Sequence, residues 1–154
     1  MRVLISGILL FLSCLVLKAQ VYDSAVGVVL GYPLGVSYKK FVQDKWAVEG
    51  ITGIYHTNNI NGGINVRGLD VALLVEGHTE VPFPDLYIVY GGGGHIGTYD
   101  TNLNVGLDAV AGLEYNFRNV PVNMMFMVKP AFGLIGGSFR FIPAGGFVLR
   151  YVLN

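Results

Sequence analysis

Strict alternation marks the stretch LDAVAGLEYNF, residues 107–117. One set of alternate positions is small, polar or charged: Asp108, Val110, Gly112, Glu114 and Asn116. The intervening set is apolar and aromatic: Leu107, Ala109, Ala111, Leu113, Tyr115 and Phe117. Because successive side chains of a strand point to opposite faces, the pattern predicts a β-strand with one polar and one apolar face.

The same alternation recurs toward the end of the chain. Asn123, Met125, Met127 and Lys129 lie opposite Val122, Met124, Phe126 and Val128. Gly146, Val148 and Arg150 lie opposite Phe147, Leu149, Tyr151 and Leu153. Several strands therefore share one two-faced pattern, as the wall of a single barrel requires.

Turn residues divide the chain after residue 20 into eight β-like runs. They are 24–32, 34–42, 46–56, 63–78, 85–99, 104–117, 122–134 and 139–153. The connections fall into two sets: 43–45, 79–84 and 118–121 on one rim, and 32–33, 57–63, 100–103 and 136–138 on the other. An even number of antiparallel strands with short connections predicts an all-β fold, an eight-stranded up-and-down β-barrel.

Composition indicates which face of the barrel points outward. Hydrophobic residues make up 53% of the chain, and charged residues make up 13%, against about 25% in ordinary soluble proteins. This number of charged residues is too small to cover the exterior of a barrel. We therefore predict that the apolar face points outward into a membrane and that the polar face lines the lumen. A soluble lipocalin-like binding barrel, with the two faces exchanged, is the alternative.

The first 19 residues have the features of a secretory signal peptide. Arg2 is followed by an apolar run from Val3 to Leu12, and Ala19 precedes the expected mature start at Gln20 or Val21. Cleavage would remove Cys14, the single cysteine of the chain. It would also remove two basic residues and leave eight against ten acidic ones, a net charge of −2. Without a basic patch, nucleic acid is not an expected partner.

Several short segments resemble small outer-membrane β-barrel proteins of Gram-negative bacteria, the porin-family or outer membrane protein β-barrel domain group of OmpX/OmpA type. The segments, in chain order, are 35–41, 47–50, 90–97, 112–117, 121–123, 129–130 and 149–151. The resemblance implies a domain over residues 20–154 in the cell outer membrane. It implies little about activity.

Six charged residues share the predicted lumen face. They are Lys39, Glu49, Asp108, Glu114, Lys129 and Arg150. Because an unpaired buried charge is costly, we expect opposite charges to pair and plug the narrow interior. A polar path through a narrow pore is the alternative interpretation.

Other residues that could carry chemistry lack the patterns that catalysis requires. His56, His78 and His95 fall on three successive strands, but the first two lie at opposite strand ends, so no metal site is predicted. Ser24, Ser37 and Ser138 lie in no nucleophile motif. Four glycines at 91–94 lack the lysine and helix of a phosphate loop, and they indicate tight strand curvature instead.

The sequence thus predicts an integral outer-membrane barrel with a structural or surface-interaction role, no catalytic activity and no cofactor. The alternatives are a narrow porin for small solutes, a barrel lipid-modifying enzyme and the soluble binding barrel. Expected partners are outer-membrane lipids and, during biogenesis, the barrel-assembly machinery, and we expect a monomer.

Overall fold

The computed structural model describes residues 22–58 and 64–153, which form one closed antiparallel β-barrel. The strands are β1 (Ser24–Tyr32), β2 (Leu34–Gln43), β3 (Trp46–Asn58), β4 (Ile64–Glu80), β5 (Leu86–Tyr99), β6 (Asn102–Asn116), β7 (Val122–Val128), β8 (Ala131–Ile135), β9 (Ser138–Ile142) and β10 (Gly145–Leu153). Within these residues no helix is long and apolar enough to cross a bilayer. The predicted signal peptide lies outside the described residues.

The wall of the barrel has eight positions although the described residues form ten strands. β7 and β8 together occupy the seventh position, and β9 and β10 together occupy the eighth. The barrel closes where β1 pairs with β10, with Ser24 opposite Leu153. The predicted eight-stranded antiparallel barrel is therefore confirmed.

The last two predicted runs, 122–134 and 139–153, are each interrupted in the structure. Pro130 and Pro143 stand at the two interruptions, and proline has no N–H to donate to a β-ladder. The backbone N–H of Lys129 donates to the Ala144 carbonyl at 2.8 Å, which links the two breaks. Both strands are thus interrupted at the same place in the wall.

The connections lie on the two predicted rims. The terminal rim holds both ends of the described barrel, at Ser24 and Leu153, together with the β2–β3, β4–β5 and β6–β7 connections. The far rim holds the cis Tyr32-Pro33 bond and the two-residue β5–β6 turn of Asp100 and Thr101. Both turn residues have positive φ, of 46° and 69°, as a type I′ hairpin turn requires.

Exterior and interior faces follow the predicted alternation. On β6, Leu107 is 70% exposed whereas the neighbouring Asp108 is 5% exposed. On β7, Phe126 is exposed between the buried Met125 and Met127. The barrel therefore has an apolar exterior and a lumen that contains charged groups.

Glycines in β5 let the wall curve tightly. A Cβ added to Gly91 would lie 2.0 Å from the Val75 carbonyl oxygen, and one added to Gly93 would lie 1.9 Å from that of Leu73. Both distances are far inside van der Waals contact. The backbones of β4 and β5 can pack this closely only because these interior positions lack side chains.

Candidate functional site

The lumen contains a network of six titratable side chains nearer the terminal rim, which we call the terminal-side cluster. Its members come from β2, β3, β4, β6 and β10, and all are at most 1% exposed: Lys39, Glu49, Glu76, His78, Glu114 and Arg150. Alternation brings them inward, because each occupies an interior position of its strand.

The ammonium group of Lys39 lies at the middle of the terminal-side cluster. Its Nζ lies 2.6 Å from Glu76 Oε2, 2.7 Å from Glu114 Oε2 and 3.7 Å from Glu49 Oε2. A Lys ammonium has three donor hydrogens, so one side chain can serve carboxylates from three strands.

Arg150 extends the terminal-side cluster across the barrel. Its Nε and Nη2 donate to Glu49 Oε1 at 3.1 and 2.5 Å, and Nε also donates to the Ser37 hydroxyl at 3.1 Å. Its Nη1 donates to Asn123 Oδ1 at 2.9 Å and to Glu114 Oε2 at 3.4 Å. The planar guanidinium therefore joins β10 to β2, β3, β6 and β7.

A second, smaller network lies nearer the far rim, and we call it the far-side cluster. It consists of Asp70, His95, Asp108 and Lys129, each at most 5% exposed. His95 Nδ1 lies 2.9 Å from Asp108 Oδ1. Lys129 Nζ lies 3.3 Å from Asp108 Oδ1 and 3.9 Å from Asp70 Oδ2. Its contacts are fewer and longer than those of the terminal-side cluster.

An apolar layer separates the two clusters. On β4, Ala72 and Leu74 lie between Asp70 and Glu76, and on β6 Val110 occupies the corresponding level. The layer is buried to 3% exposure or less and consists of Val29, Ile51, Ala72, Leu74, Val89, Val110, Met125, Met127 and Val148. The lumen is thus two polar compartments separated by packed apolar side chains.

Three tyrosines lie above the far-side cluster at the far rim. The Tyr55 ring contacts those of Tyr32 and Tyr99, at centroid distances of 4.8 and 5.7 Å, and the Tyr32 hydroxyl donates to the Tyr99 hydroxyl at 3.4 Å. Arg67 stacks over Tyr99, 5.6 Å from the ring centroid, and forms an ion pair with Asp100. Packed rings therefore narrow the far mouth of the barrel.

The six charged residues predicted for the lumen are all buried inside the barrel, but they do not form one group. Lys39, Glu49, Glu114 and Arg150 belong to the terminal-side cluster; Asp108 and Lys129 belong to the far-side cluster. Sequence reasoning missed Asp70 and Glu76 as partners of these charges. Their signal was present, because the even positions 70–78 of β4 alternate with Leu69, Val71, Leu73 and Val75.

The three histidines and the serines considered for chemistry are dispersed. His78 belongs to one cluster and His95 to the other, while the His56 ring contacts Tyr32 at the far rim. Ser37 accepts its hydrogen bond from Arg150, and Ser138 begins β9. Among residues 22–58 and 64–153, no three His, Cys, Asp or Glu side chains are grouped so that they could hold a metal ion.

The exterior carries aromatic rings near both rims. Tyr38, Trp46 and Tyr151 are 43–57% exposed toward the terminal rim, and Phe139 and Phe141 are exposed on β9 at the far rim. Between them the outer face is mainly aliphatic, and Leu73, Val71 and Leu107 are exposed there. Aromatic bands flanking an apolar belt are typical of transmembrane β-barrels.

The fold and its two faces define a β-barrel of the outer-membrane class, with an apolar belt outside and paired charges inside. In fold the chain is similar to the solution structure of Escherichia coli outer membrane protein W, with a TM-score of 0.52 at 10% sequence identity. The match covers 86% of this chain and 98% of that protein. The fold implied by the sequence resemblance is therefore confirmed. No protein-family model matches the chain, and no curated protein sequence matches it.

Proposed function

We propose that the chain is an integral outer-membrane protein that acts as a closed barrel, with a structural or surface-interaction role. The observation that carries the membrane assignment is the exposure of large apolar side chains on the outer face of the wall, from Val26 on β1 to Leu149 on β10. In water this surface would be a large exposed apolar patch, whereas lipid tails solvate it.

The contents of the lumen support a closed barrel over a pore. A conducting path would have to pass the two charge clusters and the apolar layer between them. At that layer Ile51, Leu74 and Met127 are 0–1% exposed, so packed side chains occupy the cross-section. An eight-stranded barrel is narrow enough for side chains to fill it.

The side chains that could act in catalysis are already engaged inside the barrel, which supports a barrel without enzymatic activity. His95 pairs with Asp108, and Ser37 accepts a hydrogen bond from Arg150, so both already serve the internal networks. A soluble carrier fits less well, because its lumen would have to be apolar to hold an apolar ligand. Outer-membrane lipids are the proposed surroundings, the barrel-assembly machinery the proposed biogenesis partner, and the monomer the proposed state.

Membrane fractionation with heat-modifiable gel mobility tests the membrane assignment. The chain, expressed with its first 19 residues, should be recovered with outer membranes and should migrate differently before and after boiling. Recovery as a soluble periplasmic protein with unchanged mobility would overturn the assignment.

Planar-bilayer recording tests the closed lumen against the narrow-porin alternative. The refolded protein should give no stable single-channel conductance. A double variant, Ile51→Ala with Leu74→Ala, is the matched control, because it removes side chains from the apolar layer and should raise conductance above that of the wild type. Stable wild-type channels would favour the porin.

A further inference from the structure

Each charge cluster contains one more carboxylate than it has lysine and arginine side chains. The terminal-side cluster sets Glu49, Glu76 and Glu114 against Lys39 and Arg150. The far-side cluster sets Asp70 and Asp108 against Lys129. Each cluster also contains one histidine, so with neutral histidines both have the same net charge of −1 although they share no residue.

From this balance we propose that the folded barrel binds two protons, one in each cluster, and retains them at a pH where the unfolded chain has released them. A cluster with a net charge of −1 is unfavourable here, because every member is at most 5% exposed and bulk water cannot solvate the excess charge. One proton bound among the histidine and carboxylates of a cluster makes that cluster neutral.

In the terminal-side cluster the proton is held among closely placed acceptors, because Lys39 brings Glu49, Glu76 and Glu114 together from three strands. His78 Nε2 lies 3.7 Å from Glu114 Oε2, and the ring packs on Phe41 at a centroid distance of 4.7 Å, away from water. The cluster also contains five charged side chains, and the phenols of Tyr22 and Tyr87 lie near its Glu114. Tyr22 donates its hydroxyl hydrogen to Glu114 Oε1 at 3.0 Å, so it adds no positive charge.

The far-side cluster has a corresponding place. His95 Nδ1 and Asp108 Oδ1 are 2.9 Å apart, within reach of one shared hydrogen. The other groups that face this pair are Asp70, Lys129 and the Tyr55 phenol. Lys129 can neutralise only one of the two aspartates, so a proton on the histidine–aspartate pair brings the net charge of the far-side cluster to zero.

Bound protons give stability a definite dependence on pH. Between about pH 5 and 6.5 an unfolded histidine also carries a proton and the unfolded carboxylates do not, so the folded and unfolded chains bind the same number and the full stability is present. At higher pH the unfolded chain releases these protons and the folded barrel does not. Folding then takes up protons, and stability falls as pH rises until the clusters themselves deprotonate.

Proton uptake on folding tests the proposal directly. Urea-unfolded full-length protein is diluted into lipid vesicles at pH 8 in weak buffer containing an indicator dye. The wild type should take up about two protons per chain, Glu76→Gln and Asp70→Asn about one each, and the double variant none, since each substitution removes the excess carboxylate of one cluster. Glu80→Gln, an exposed carboxylate on β4, is the control and should match the wild type.

Equilibrium unfolding in urea gives a second measurement. Between pH 7 and 8 the unfolding constant of the wild type should rise about 10-fold for each retained proton, hence about 100-fold in total. The double variant should show no rise. Folding of the wild type without proton uptake would overturn the proposal, and this result does not depend on whether any variant folds. Equal uptake by the wild type and the double variant would also overturn it.

Discussion

Both interior clusters pair buried carboxylates with basic side chains, but the basic side chains and their distances differ. In the terminal-side cluster, Arg150 and Lys39 reach carboxylates of several strands at 2.5–3.7 Å. In the far-side cluster, Lys129 approaches its two aspartates only at 3.3 and 3.9 Å. The comparison shows that the ion pairs across the lumen are closer and more numerous near the terminal rim than beneath the far mouth.

Arg150→Met should have the largest effect on stability. It removes the guanidinium that joins five strands and leaves three buried glutamates with one lysine, which should cost about 3–5 kcal/mol. Urea unfolding in lipid vesicles measures this loss. Arg140→Met is the matched control, because Arg140 is exposed at the far rim and its removal should leave stability near the wild-type value. Equal stability of the two variants would mean that the terminal-side cluster does not tie the wall.

Leu74→Ala tests whether the apolar layer between the clusters is tightly packed. Leu74 is fully buried between Asp70 and Glu76 on β4, so its truncation should leave a cavity and cost about 3 kcal/mol. Leu73→Ala on the exposed face of the same strand should cost less in lipid. The same unfolding measurement compares the two, and similar losses would argue against a packed layer.

Lys129→Met should destabilise the barrel less than Arg150→Met. Its ion pairs are longer and fewer, so we expect a loss at or below the lower end of the range of about 3–5 kcal/mol for breaking a buried ion pair. The double variant Lys129→Met with Asp70→Asn removes the unpaired aspartate as well and should recover part of the loss in urea unfolding. A loss as large as that of Arg150→Met would contradict the ranking of the two clusters.

Arg118→Ala should have the smallest effect on stability. It shows how much an exposed ion pair contributes, for comparison with the two buried clusters. Arg118 forms an ion pair with Asp85 at the terminal rim, where the arginine side chain is 68% exposed. Because water and salt screen such a pair, we expect no measurable shift of the urea midpoint. A clear shift would mean that rim contacts, as well as interior ones, stabilise the wall.

The sequence was sufficient to predict the barrel and its faces, because both depend on a period of two. Residues 107–117 show which side chains point inward without any knowledge of neighbouring strands. The turn residues likewise separate the eight runs, and the two sets of connections follow from antiparallel order. These features are local, so a single strand or turn reveals them.

The division of the lumen charges into two clusters was not predictable in the same way. Alternation gives the face of Asp108 and Glu114 but not their heights relative to Lys39 on β2, which depend on the stagger between strands around the barrel. The interruption at Lys129-Pro130 could be predicted locally, because a proline within a strand indicates a break in its hydrogen bonding. Its coincidence with the break at Pro143 depends on the pairing of two strands, which one strand alone does not reveal.

The closing pair of strands has a consequence for the order of assembly. β5 and β6 pair along their whole length through a two-residue turn, so little loop entropy opposes them, and we expect this hairpin to form early. The β1–β10 pair joins the two ends of the barrel and should form last. Arg150 lies on β10, so Glu49 of β3 receives its guanidinium only at that final step, whereas Glu114 of β6 lies on the same side of the seam through β7. Barrel closure and the pairing of Glu49 with Arg150 would then be a single kinetic event, and a chain stalled before it would be held open with Glu49 still accessible to water.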